Sequence, residues 1–441
     1  MYKATVVKIK NVRAHSNADL VKLATCHGNQ VVVGLETAED DLGIYFPTDG
    51  VLSHDFCYYN NLYRKPDMNS DIKANPGMFD DNRRVRTQKF RGEISDGFWM
   101  PISCFDFIYN DLGIKLPKFE EGIEIDDLVG IPICKKYMNK KTQDAANQNT
   151  SKKTKRAKTS IMFKEHFDTA QLGKNLHEIN PDELIVITEK LHGTSGRIGN
   201  VLVSAKLNWL DKIAKAFGIK IHEKDWMYLN GTRRVVLEET SGNQFHDPNI
   251  RDIALKKLDG HIRKGETFYF EIVGYETNGS PIMGSVDTSK IGDKSFVAKY
   301  GKNMEYSYGC QPGTCEIYVY RITITNEDGH SIDLSWNDVV LRCNEIGVKH
   351  VPLLGIYTLD HIASLGDTLD VNEAQNEFLK IVEELVKGPS TIDPRHIREG
   401  VVVKIDNYGI NPKVYKHKSF EFKVLEGIVK DSGAIDMEES S

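Results

Sequence analysis

The chain has 441 residues, enough for two or three domains, and a net charge of −6. No run of about 18 uncharged apolar residues occurs, which argues against a transmembrane helix, and the acidic balance excludes a histone-like polycation. Seven cysteines at 26, 57, 104, 134, 310, 315 and 343 contain no CxxC pair. Neither a disulfide framework nor a zinc site is therefore expected, and a reducing, cytoplasmic setting fits.

The charge is unevenly spread. Residues 1–134 carry 15 Lys/Arg against 20 Asp/Glu, 135–160 carry 9 against 1, and 161–441 carry 33 against 42. The first stretch, Met1-Tyr2-Lys3-Ala4-Thr5-Val6-Val7, lacks the apolar core of a signal peptide and reads as a strand. Short apolar runs at Thr5–Ile9, Gln30–Gly34 and Gly97–Ile102, set apart by Gly/Pro/Asn-rich turns, predict an all-β domain over 1–134. Within it, Arg83, Arg84, Arg86, Lys89 and Arg91 put five cations into nine residues beside Phe90 and Phe98. That composition suits a phosphate track, or equally a solvated hairpin with structural ion pairs.

Residues 135–160, KKYMNKKTQDAANQNTSKKTKRAKTS, have almost no large apolar side chain after Met138 and read as a basic linker. From 161 to about 427, strands and helices mix. Strands are expected at Leu184–Thr188, Val201–Ala205, Thr267–Val273, Glu316–Thr325, Gly400–Ile405 and Pro412–Lys416, and helices at Leu210–Phe217 and Ala374–Lys387. The remaining residues, 428–441, form an acidic tail, and no internal repeat is evident.

Lysines and glutamates recur on or beside the apolar strands of this larger region. They stand in Glu189-Lys190-Leu191-His192-Gly193, in Phe270-Glu271-Ile272-Val273-Gly274, in Glu399–Lys404 and in Lys416-His417-Lys418. Charge beside a strand that packs into a core is costly without a partner or a task. Four lysines gathered near strand ends would make a cationic pocket suited to a polyphosphate. Singly, each signal also fits an ordinary surface residue.

Their order and spacing, with Tyr318-Val319-Tyr320-Arg321-Ile322 between the second and third, resemble the covalent nucleotidyltransferase superfamily of ATP-dependent ligases and capping enzymes. The chain looks most like a nick-sealing RNA ligase with an N-terminal OB-like module. The His15-Ser16-Asn17-Ala18-Asp19 turn resembles OB folds of tRNA-binding modules. The resemblance implies an α+β protein: an OB barrel, then an adenylyltransferase domain of antiparallel sheets with flanking helices.

It implies that Lys190 of the KxxG motif attacks the α-phosphorus of ATP, with Mg²⁺ or Mn²⁺ present, and takes AMP onto its amine. Lys404, Lys416 and Lys418 would lower the pKa of that amine and neutralise phosphate charge. Glu399 and Glu271 would hold the metal or a ribose hydroxyl, Tyr320 would stack on adenine, and Glu189 and Gly193 would lie beside the nucleotide. Relatives often carry an arginine after a serine for the nucleic-acid end; here Ser204-Ala205-Lys206 offers Lys206, and Arg197 is the alternative. The expected partner is RNA, as nicked duplex or as ends, tRNA among them, bound by both domains of a monomer with no membrane association. Only 23 residues follow Lys418, which leaves no room for the C-terminal OB domain of DNA ligases and capping enzymes. A non-catalytic RNA-binding protein is the reading from another class.

Overall fold

The structure is a computed structural model that describes residues 2–140, 143–144, 160–204, 209, 213, 217, 223–237, 248–365, 370–406 and 412–431. It divides into two compact units, Met1–Asn139 with Glu426–Ser432, and Lys140–Leu425 with Gly433–Ser441.

In the first unit, short apolar runs, largely buried, form small antiparallel sheets. One sheet orders Glu124–Ile125, Ala4–Lys8, Leu42–Phe46 and Phe98–Pro101; another orders Lys10–His15, Ala18–Cys26 and Asn29–Gly34. The expected turn at 15–19 is a hairpin in which His15 faces Ala18 and the His15 Nδ1 accepts from the Asn17 amide at 3.0 Å. Val6, Ile44, Phe46 and Phe56, all fully buried, anchor the core. Cys134–Lys136 pairs with Gly50–Leu52, so the first two lysines of the basic stretch extend a strand of this unit.

The arginine cluster does not act as one patch. Arg84 is 3 % exposed, lies 2.9 Å from Asp49 and stacks over Tyr137 at 4.4 Å. Phe98 is a core residue, packed against Phe46 and Phe79. Lys89, Phe90 and Arg91 remain exposed on the Thr87–Phe90/Glu93–Asp96 hairpin.

The second unit contains two larger sheets. The first orders Ala170–Gln171, Val414–Lys418, Gly400–Ile405, Ile185–Lys190 and Leu353–Tyr357. The second, of seven strands, is built on Lys224–Gly231, Thr194–Ser204, Glu266–Gly274 and Cys315–Thr325. The expected helix Ala374–Lys387 is Val371–Leu385, opened by Asp370, whose side chain accepts from the Asn372 amide. Its Ala374, Phe378 and Val382 fall one helical turn apart and pack on Ile185, Ile187, Val401, Val403 and Ile405. Burying Phe378, Val382 and the Ile and Val side chains contributes roughly 1.5–3 kcal/mol each, which holds one face of the first sheet against the helix. The expected helix Leu210–Phe217 lies outside the described residues except for Ile213 and Phe217. No helix among the described residues is long and apolar enough to cross a membrane.

Candidate active site

Strand register decides which side chains share a surface. Ile185–Lys190 runs antiparallel to Gly400–Ile405 with Lys190 opposite Gly400, Thr188 opposite Val402 and Val186 opposite Lys404. The next strand sets Lys418 opposite Gly400, Lys416 opposite Val402 and Val414 opposite Lys404. Side chains alternate with a period of two, so Lys190, Lys404, Lys416 and Lys418 share one face. The other face is the apolar core under the helix. Val186, Thr188, Lys190, Val402, Lys404, Val414 and Lys416 floor a cleft walled by Thr194, Ser195, Glu271, Tyr320 and Arg321 from the second sheet.

Two glycines permit this approach. A methyl group on Gly193 would overlap the Ile272 carbonyl and the Glu271 side chain, and one on Gly400 would overlap the His417 carbonyl. Both positions tolerate no side chain because a neighbouring strand lies against them.

At the end of the floor, Glu399 is fully buried. Its Oε1 is 2.7 Å from Lys190 Nζ and 3.3 Å from Lys418 Nζ, and its Oε2 is 3.5 Å from His192 Nδ1. The contact between Lys190 and Glu399 is one that the sequence reading did not include. A carboxylate contacts the amine, with the Lys418 ammonium beside it. Lys404 is turned to the Leu334 carbonyl at 2.6 Å and to Asp406 at 3.3 Å. Lys416 lines the cleft, and Lys418 also lies 5.0 Å from the Phe422 ring centre.

The opposite wall owes its shape to a bulge. Tyr269 pairs with Arg321 but Phe270 pairs with Val319, which leaves Tyr320 as an extra residue. A bulge re-aims a side chain, and both Tyr320 and Arg321 line the cleft. Burial, reinforced by the charge of Glu271, pushes the Tyr320 hydroxyl well above its ordinary value, so the ring is a neutral phenol. Glu271 accepts from Ser195 Oγ at 3.0 Å. Arg321 forms two 2.7 Å bonds with Asp333 and stacks over Phe167 and Tyr269, each at 4.5 Å. His166, tilted against Tyr320 with centroids 5.2 Å apart, is held neutral by burial and by Arg321 and Arg233.

Of the remaining expected site residues, one borders the cleft, one is buried away from its lining, and one lies outside the described residues. Glu189 borders the cleft, but alternation turns its carboxylate to the far side of the strand from Lys190. There Oε2 accepts from the Thr391 amide at 2.9 Å and from the Thr391 hydroxyl, with Arg398 Nε 3.6 Å away. Arg197 is 1 % exposed, stacked 4.6 Å over Phe163, and absent from the cleft lining. It is thus not placed to meet a nucleic-acid end. Lys206 lies outside the described residues. Residues that the sequence did not flag also line the cleft: His166, Arg233, Asp333 and Trp336. Only Arg321, adjacent to Tyr320 in a motif, carried any local signal.

Among the described residues no cluster of three or more His, Cys, Asp or Glu side chains forms a metal cage. Glu271 is a carboxylate on the cleft wall, whereas Glu399, buried against Lys190 and Lys418 at the end of the floor, is not part of the lining; a cation beside them would draw its other ligands from substrate phosphates.

The RNA ligase family profile matches residues 183–424, more than half of the chain, and an OB-fold domain profile matches residues 3–102. No curated protein matches. Among solved structures, a variant of Naegleria gruberi RNA ligase with AMP and Mn is similar at 16 % identity and TM-score 0.55, over 95 % of this chain and 97 % of that one. Another variant, with ATP and Mn, gives 16 % identity and TM-score 0.56 over 95 % and 98 %. A third, without ligand, gives 17 % and 0.55 over 95 % and 96 %. At such identity these likenesses concern the fold, an OB domain followed by an α+β domain. On the strength of the family match across its cleft-bearing residues, the chain belongs to the RNA ligase family.

Proposed function

We propose that this RNA ligase uses ATP to seal 3′-hydroxyl and 5′-phosphate RNA ends, at nicks in duplexes, through AMP carried on Lys190. The observation that supports it most is the register that sets Lys190, Lys404, Lys416 and Lys418 on one face of three adjacent strands. A triphosphate is the ligand such a face would neutralise.

In this reading adenine stacks on Tyr320, and Glu271 with Ser195 takes the ribose. Lys416 and Lys418 bear on the phosphates, where positive charge stabilises the developing transition state. Glu399 orients Lys190 and holds its proton until attack. Glu399 and Glu271 would hold a divalent ion, Mg²⁺ or Mn²⁺. When bound, such an ion would supply positive charge that offsets the triphosphate. As Lys190 gives up a proton to solvent, its free amine bonds to the α-phosphorus and pyrophosphate leaves. AMP passes to a 5′-phosphate end, and a 3′-hydroxyl displaces it to form the phosphodiester. The first domain, over 1–134, would hold RNA through the exposed Lys89–Arg91 hairpin, with 135–160 as a basic connection to the catalytic region 161–427 and 428–441 as an acidic tail. We read the enzyme as a cytoplasmic monomer.

The test is incubation with α-labelled ATP or GTP and Mg²⁺. Label that survives denaturation, from ATP and not GTP, and that a Lys190→Ala variant fails to acquire, is the expected result. An unlabelled wild-type protein would overturn the reading.

A further inference from the structure

Behind the Lys190–Gly193 turn stands a tyrosine in an unusual conformation. Tyr308 has φ of 49°, the left-handed region that a bulky side chain seldom adopts. It is 3 % exposed, and its hydroxyl oxygen accepts from the His192 amide at 2.6 Å. It does not line the cleft.

Three contacts hold this conformation. Asp393 Oδ2 accepts from Ser307 Oγ at 2.7 Å and from the Gly309 amide at 3.0 Å, one on each side of Tyr308. Arg395 fixes Asp393 in turn, with Nε and Nη2 each 2.9 Å from its oxygens. The Tyr308 amide points at His396 Nε2 at 3.4 Å, while His396 Nδ1 lies 3.0 Å from the Ile397 carbonyl. That pattern requires a neutral ring with its hydrogen on Nδ1. Burial lowers the His396 pKa, in accord with it. A strained residue pinned by a buried carboxylate and a buried imidazole persists only because its surroundings over-determine it, and such strain concentrates at functional sites.

We infer that Tyr308 is a positioning residue for lysine adenylylation: through the His192 amide it fixes the turn that carries Lys190, and Asp393 fixes Tyr308. The inference rests on the reading of Lys190 as the nucleophile. Loss of the phenol oxygen leaves the His192 amide without this acceptor and lets the turn drift. A misplacement of about 1 Å at a reacting group costs on the order of 100-fold in rate. Because Tyr308 does not border the cleft, nucleotide affinity should be spared.

The experiment compares wild-type, Tyr308→Phe and Tyr308→Asn proteins in single-turnover transfer of label from α-labelled ATP, and in joining of a chemically pre-adenylylated RNA nick. Asn tolerates the left-handed backbone but lacks the phenol. Both variants should transfer label about 10- to 100-fold more slowly, with KM for ATP within about twofold of wild type. They should join the pre-adenylylated nick at wild-type rate, since that step needs no attack by Lys190. Equal slowing of both steps would mark general structural damage and overturn the inference, as would a parallel rise in KM. Wild-type label transfer by Tyr308→Phe would overturn it while leaving Lys190 in place as nucleophile; absence of label from the wild-type enzyme would overturn both.

Discussion

Replacing Glu399 with glutamine should destabilise the second unit far more than removing Lys190. Glu399 is fully buried and meets Lys190 at 2.7 Å and Lys418 at 3.3 Å. At an effective dielectric of about 20, each contact represents roughly 5–6 kcal/mol of gross attraction. Desolvation of the carboxylate and of Lys418, whose side chain is 10 % exposed, offsets most of this. What a glutamine removes is the compensation of two cations at once. Loss of one partner from a buried pair costs about 3–5 kcal/mol. A melting temperature for a unit of this size should then fall by roughly 10 °C. Lys190→Ala leaves Glu399 still paired with Lys418, and Lys190 is 21 % exposed, so its cost should be the smaller of the two. Thermal unfolding of the two variants at neutral pH measures the difference. A Glu399→Gln protein that melts with, or above, Lys190→Ala would refute the ion-pair hub.

Arg197→Met should keep label transfer and nick sealing, with a melting temperature near or above wild type, because a buried arginine with Nε and Nη1 lacking hydrogen-bond partners is exchanged for a side chain of similar volume. Sealing lost with adenylylation intact would restore Arg197 as a contact for the nucleic-acid end. Tyr320→Ala should weaken ATP binding by about 5- to 100-fold, the range of one base–aromatic stack, while Tyr320→Phe stays close to wild type; an unchanged KM in the alanine variant would remove Tyr320 from the base site. Burial raises the Asp393 pKa, but hydrogen bonds from Arg395, Ser307 and the Arg395 and Gly309 amides outweigh it and hold the carboxyl well below the usual range. Its contribution is thus present above the unfolded carboxyl pKa of about 4 and fades below it. The melting-temperature gap between wild type and Asp393→Asn should be wide at pH 7 and shrink by pH 3, and a constant gap would contradict this. Reversing Lys89 and Arg91 to glutamate should reduce RNA affinity and flatten its salt dependence without changing label transfer; unaltered binding would exclude that hairpin as an RNA contact.

Much of the cleft floor was legible because a strand writes its faces into the sequence. Lys416 and Lys418 are two apart, as strand alternation requires of neighbours on one face. The same rule puts the Glu189 side chain on the opposite face from Lys190, but its partner Thr391, 202 residues on, has no local signal. The pairing of Lys190 with Glu399 depends on a cross-strand register between residues 209 apart, which no local pattern encodes. Tyr320 reaches the cleft through a bulge whose extra residue exists only relative to the partner strand. Arg197 and Arg84 read as exposed cations until Phe163 and Asp49, distant in sequence, cover them. The Tyr308–Asp393 clamp likewise joins two loops 85 residues apart, neither of which has a periodic signal.

Peptide mapping by mass spectrometry, after wild-type protein is incubated with ATP and Mg²⁺ and handled under conditions that preserve phosphoramide bonds, bears most directly on the central claim. The expected result is AMP on the peptide that contains Lys190, lost when pyrophosphate is added back. AMP on another lysine, or an unmodified Lys190 peptide under conditions in which the protein seals RNA, would contradict it.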